Sequence, residues 1–221
     1  GLGARLVLPA AGVQDGPAVA LVADAGGDDE PAWSPDGQTI AFAGSRSGPP
    51  DIYLVAAAGG VPVRFTTHAA ADGGPAWSPD GARLAFSSFR TGSQADIYVQ
   101  PVAGGVAVRL TTHAANEFHP AWSPDGQWIA YQRLESGSFV LYKIPAAGGA
   151  PVRLTTAAGN QMEPCWSPDG QWIAYLGGAL GQGDIYAVPA EGGESINLTA
   201  SPGDEGTPAW SPDGKRIAYH A

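Results

Sequence analysis

Cysteine and methionine are nearly absent: one of each in 221 residues. A single cysteine, Cys165, excludes an intrachain disulfide framework and a thiolate metal cluster. It stands where other copies of a repeated phrase carry alanine, so it reads as a small buried filler, not a nucleophile. Positive charge is scarce as well: 11 Lys and Arg against 21 Asp and Glu, a net charge of −10. Without a basic run, nucleic acid and anionic membranes are poor partners, whereas a cation or a basic protein surface is easily accommodated. The plainer reading is acidity for solubility. No apolar run approaches the roughly 18 residues that span a membrane. No stretch keeps a helical period, and neither a Gly-x-Ser-x-Gly elbow, a phosphate loop nor a zinc-type histidine spacing occurs. The chain opens at Gly1 with neither methionine nor a signal-like segment, so a trimmed or engineered chain is one reading.

What is present is repetition. Pro-Ala-Trp-Ser-Pro-Asp-Gly occurs five times, with tryptophans at Trp33, Trp77, Trp122, Trp166 and Trp210, spaced by 44, 45, 44 and 44 residues. A constant period in the forties marks stacked or radially arranged units. In the first unit, Glu30 to Ser34 runs into a Pro35-Asp36-Gly37 turn, and Gln38 to Ala43 alternates polar and apolar as a strand does. Asp51 to Val55 is a third strand, Ala58-Gly59-Gly60 a hairpin turn, and Val61 to Thr66 a fourth strand. Each unit is therefore predicted to be a four-stranded antiparallel blade. The fifth copy supplies only two strands, while Arg5 to Gly12 and Val19 to Val22 match the missing pair. The expectation is an all-β, five-bladed β-propeller of four-stranded antiparallel blades, closed by N-terminal strands that complete the C-terminal blade. It forms one domain, 1–221, with blades at about 30–67, 74–111, 119–155, 163–199, and 207–221 plus 4–23. Closure would remove free sheet edges.

The pattern PAWSPDG, then IAF or IAY, DIY, GG and RLT, resembles the WD-like repeats of TolB-like β-propellers over essentially the whole chain. The resemblance implies that the PAWS strand lines a central channel and that the loops before it share the ligand-binding face. It also implies a periplasmic or extracellular protein. The TolB propeller is six-bladed with an additional domain, so its lipoprotein partner is not carried over to a chain read as five blades.

Most repeated residues read as structure. The tryptophans are wedges between blades, the aspartates of the Pro-Asp-Gly turns bind nearby amides, and Arg64, Arg109 and Arg153 guard an outer edge. Variation inside a repeat is where function can hide. Three residues before each phrase stand Asp28, Asp72, Glu117, Gln161 and Glu205, which a closed ring gathers at one channel mouth. Asp28, Asp72, Glu117 and Glu205 could surround Ca²⁺ or receive a partner's Lys or Arg; alternatively each ties its own loop or pairs with Arg46, Arg90 or Arg133. Glu30, Asn116, Phe118, His119, Met162 and Glu163 complete a polar mouth with two apolar contacts.

These readings favour a non-catalytic scaffold that binds a protein, peptide or small polar or cationic ligand at the mouth. One alternative is a structural, engineered or fragment propeller with no ligand. A more distant one is a glycoside hydrolase using a pair among Glu117, Glu163 and Glu205. No enzyme activity, no nucleic acid and no membrane insertion are expected, and a closed ring is expected to be a monomer.

Overall fold

The computed structural model describes residues 22, 27–46, 48–179, 181–200 and 203–220. The first copy of the phrase builds β1 (Asp28–Trp33), β2 (Thr39–Gly44), β3 (Asp51–Ala56) and β4 (Val63–Arg64), an antiparallel sheet in chain order. The second repeats it as β5 (Asp72–Trp77), β6 (Arg83–Ser88), β7 (Asp96–Pro101) and β8 (Val108–Arg109). The third supplies β9 (Glu117–Trp122), β10 (Trp128–Glu135), β11 (Ser138–Pro145) and β12 (Val152–Arg153). The fourth supplies β13 (Asn160–Trp166), β14 (Trp172–Ala179), β15 (Gln182–Pro189) and β16 (Ile196–Asn197). The fifth gives only β17 (Gly206–Trp210) and β18 (Ile217–His220).

The all-β propeller is therefore present, with a correction: among the described residues there are four four-stranded blades, not five, and the fifth copy is a two-stranded sheet. The segment expected to complete the blade, residues 4–23, lies outside the described residues except for Val22. Val22 rests against Ile40, Phe42, Tyr53 and Val55 of the first blade. Trp33 on that blade is 60% exposed, so no neighbouring blade covers it among the described residues. The outermost strands are two residues each, shorter than the Val61 to Thr66 expected in the first blade.

Local chemistry explains why each hairpin forms. The serine hydroxyl of each phrase donates to the aspartate two residues on, at 2.5–2.6 Å, and that carboxylate accepts the amide two residues further, at 3.0–3.1 Å. The glycine that follows takes a φ of 68–71°, which a side chain would oppose. These bonds hold all five turn aspartates below the ordinary carboxylate value.

Most of the core lies between blades. Each tryptophan after the first reaches back one blade and donates its indole N–H to a backbone carbonyl: Trp77 to Ala32, Trp122 to Ala76, Trp166 to Ala121 and Trp210 to Cys165, at 3.0–3.2 Å. The acceptor is main chain, which explains why cysteine can replace alanine there. Between the second and third blades, Ile97 and Val99 meet Trp122, Ile129 and Tyr131; between the third and fourth, Leu141 and Leu154 meet Trp166, Ile173 and Val188. This packing sets the inner strands β1, β5, β9, β13 and β17 side by side, with their N-terminal ends along one rim.

Candidate functional site

The rim is shaped by the proline of the phrase. Proline cannot donate to a strand ladder, and each inner strand carries a β-bulge there, setting two residues against one. The residue before the proline is left-handed in every copy: Glu30 (φ 52°), Gly74 (60°), His119 (51°), Glu163 (55°) and Thr207 (51°). Opposite the bulge sits an aromatic ring: Phe42, Phe86, Tyr131, Tyr175 or Tyr219. The first four stack on a tyrosine of the third strand with centroids 5.7–6.1 Å apart.

Three of the mouth carboxylates are held by arginine. Asp28 pairs with Arg46 (2.6 Å), Asp72 with Arg90 (2.8 Å) and Glu117 with Arg133 (2.7 Å), and each guanidinium also lies over the aromatic pair of its blade. Glu117 is fully buried. Burial, reinforced by nearby Asp96, pushes its carboxyl above the ordinary value against the pull of Thr111 and Arg133. The fourth blade has neutral Gln161, which accepts from Thr155 and donates to the carbonyls of Ala157 and Gly159. Of the four carboxylates expected around Ca²⁺, three thus fit an arginine and not a metal. Among the described residues no three His, Cys, Asp or Glu side chains gather as a metal site.

The residues at the bulge stitch blade to blade. Glu30 accepts the amide of Gly74 (2.6 Å) and meets the His119 ring nitrogen Nε2 (3.1 Å), linking the first three blades. Glu163 accepts the amide of Thr207 (2.9 Å), and its own amide donates to Gln132 (2.9 Å). Asn116 is spent on the amide of Ala95 (2.9 Å). Phe118 packs between Phe89 and Phe139, at 6.0 and 6.2 Å. His119 is raised above its ordinary value: burial lowers it, but the Glu30 bond and the charges of Glu30 and Glu163 outweigh that. Glu30 is lowered, chiefly by His119.

Two cavities open on this rim. One, about 270 Å³, brings Glu30, Asp72, Phe118 and His119 together with Asp29, Ser87 and Phe89. Two buried polar atoms of its lining residues, Asp72 Oδ1 and Ser87 Oγ, have no hydrogen-bond partner among the described residues. The other, about 240 Å³, brings Met162, Glu163 and Glu205 together with Asn160, Asp204 and His220. Asp28, Asn116, Glu117 and Gln161 line neither. Sequence reasoning missed Ser87 and its equivalents Ala43, Gln132, Leu176 and His220, which pair across the sheet with the residue two before each proline. The signal was available, because this position differs in every unit.

A sequence profile described as the TolB beta propeller domain matches residues 14–140 and 113–221. The chain belongs to the TolB beta propeller family. No curated protein sequence matches it. Among solved structures, this TolB-like propeller is similar to a protein described as TolB from Agrobacterium tumefaciens (24% identity, TM-score 0.76, 88% of this chain and 75% of that one). It is similar also to TolB from Acinetobacter baumannii (24%, 0.72, 89% and 49%). An oligogalacturonate lyase in complex with manganese shares the fold too (16%, 0.66, 85% and 57%). At these identities the likeness is one of fold, and it includes an enzyme, the lyase. The chain covers about half the length of the Acinetobacter baumannii protein.

Proposed function

We propose that this TolB-like propeller is a non-catalytic binding module whose rim takes a peptide segment or a small polar ligand in the cavity between its first three blades. The observation that supports this is the wall of that cavity: Asp72 Oδ1 and Ser87 Oγ, buried without partners among the described residues, beside His119 and the rings of Phe89 and Phe118. A concave site with apolar walls and a few convergent polar groups suits ligand recognition. An unpartnered buried polar group is costly until a ligand supplies the missing bond. Its 270 Å³ suits a side chain or a small molecule better than a sugar polymer.

Acid–base hydrolysis has less support, because Glu117 is clamped by Arg133 and Glu163 bonds the next blade. The proposal includes a single domain over 1–221, a monomeric state, and a periplasmic or extracellular location, as the family resemblance implies. Nucleic acid is not among the proposed partners, in keeping with the net charge of −10. Panning a displayed random-peptide library against the chain tests the reading. Recovered peptides should lose binding to Ser87→Leu, which fills the cavity, while the melting temperature stays near the parent's. Peptides that bind Ser87→Leu as well as the parent would refute it.

A further inference from the structure

The second cavity differs from every other place on the rim by what it lacks. In the first three blades the mouth carboxylate and a guanidinium occur together, the guanidinium over a stacked aromatic pair. In the fourth blade both are missing: Gln161 replaces the carboxylate, Gly177 stands at the position of Arg133, and Ala179 at that of Arg46 and Arg90. Charge is matched in all four. In the fifth copy the second strand is described only as far as His220. Glu205 occupies the carboxylate position and is 2% exposed, yet its Oε2 has no hydrogen-bond partner and no cation pairs with it among the described residues.

An ionised carboxylate taken out of water without a partner is among the least favourable arrangements a fold can hold. Glu205 is not sealed in, however. It lines the open 240 Å³ cavity, whose wall also carries the carboxylates of Glu163 and Asp204. Each of these commits one oxygen to a backbone amide, Glu163 Oε2 to Thr207 and Asp204 Oδ1 to Gly183. Met162 and Leu176 give the cavity an apolar flank along which a methylene stem can lie.

We propose that this cavity is a binding site for a guanidinium group, the arginine side chain of a partner polypeptide, which completes Glu205 as Arg46, Arg90 and Arg133 complete Asp28, Asp72 and Glu117. Arginine is preferred to lysine because its planar fork can donate to several carboxylate oxygens at once. The site rests on the reading that the rim is a binding face, but it is a different cavity from the one assigned above and takes a narrower class of ligand.

Calorimetric titration with N-acetyl-arginine amide tests it, with the lysine and citrulline analogues as controls. Arginine should bind saturably, and the neutral citrulline analogue at least about tenfold more weakly, as loss of a charged hydrogen bond requires. Lysine should fall between them. Glu205→Gln should abolish arginine binding without lowering the melting temperature, since Gln161 shows that the fold accepts glutamine at the equivalent position. Equal binding of citrulline, unchanged binding to Glu205→Gln, or no saturable binding of arginine would each overturn the inference. Peptides blocked by Ser87→Leu but indifferent to Glu205→Gln would leave the first cavity standing while this one fell. Arginine binding without any recovered peptide would do the reverse.

Discussion

The first and third blades carry the same phrase and stand in different company. Trp122 is 8% exposed, packed among Ile97, Val99 and Ile129, with its indole bonded to Ala76. Trp33 is 60% exposed. The carboxylates follow suit: Glu117 and Arg133 form a buried pair, whereas Asp28 and Arg46 form a half-open one. Within each blade the turns are alike. The repeat therefore specifies its hairpins locally, and what a residue is worth depends on the blade beside it.

The widest separation is expected at the tryptophans. Trp122→Ala should cost about 3–5 kcal/mol, through lost burial and the cavity left between two blades. Trp33→Ala should cost less than about 1 kcal/mol, as surface changes do. Equal losses in chemical denaturation would mean that a neighbour covers Trp33 in solution.

The ion pairs come next. Arg133→Ala strands a buried carboxylate and should cost about 3–5 kcal/mol at neutral pH. Arg46→Ala removes a partly exposed pair and a ring contact, roughly 1–2 kcal/mol. The sign with pH sharpens the contrast. In Arg133→Ala, Glu117 titrates above its unfolded value, so stability must fall as pH rises through that interval and recover in acid. A pH-independent loss would show that Glu117 is not the stranded group.

A smaller effect belongs to the Glu30–His119 contact, which ties the first blade to the third. Glu30 is depressed, so its contribution is present above its ordinary 4.5 and lost as pH falls through the lower folded value. His119 is raised, so its contribution is full below its ordinary 6.5 and lost as pH rises through the higher folded value. The contact should therefore help most between these two values. His119→Ala should flatten the melting-temperature profile on both sides of that window, and a profile identical to the parent's would exclude the contact.

The smallest effect should be the same in both blades. Asp36→Asn and Asp125→Asn keep an oxygen that can accept from serine and backbone but remove the charge that strengthens both bonds. Both aspartates are depressed, so the parent should gain on each variant only above the ordinary aspartate value and lose that advantage as pH falls. Unequal effects would contradict a purely local role.

How much of this was legible follows the same division. Strands, turns and the tryptophan period could be read because alternation and Ser-Pro-Asp-Gly chemistry act within a few residues. The number of full blades could not, because completing one from two ends of the chain depends on long-range pairing that spacing does not encode. Glu30, His119 and Glu163 were legible as variable residues, but not their bonds to Gly74 and Thr207, which depend on the offset between neighbouring sheets. Arginine pairing of the mouth carboxylates was one of the alternatives the sequence left open, and the aromatic pair beneath each guanidinium settles why it wins. The bulge could have been read directly, since a proline inside a strand pattern marks one.

The left-handed residue before each proline has a consequence for evolution and engineering. Four of the five are not glycine, and each holds its backbone at a cost of about 1 kcal/mol that Gly74 avoids. Backbone strain alone would therefore favour glycine in every such slot, and the fold already tolerates it in one blade. A propeller with glycine at all five would be a less strained, blank version of this one, without the Glu30 and Glu163 bonds that join neighbouring blades. The side chains at 30, 119, 163 and 207 are departures from that blank, made blade by blade, and each can be rewritten without touching the phrase that builds the sheet.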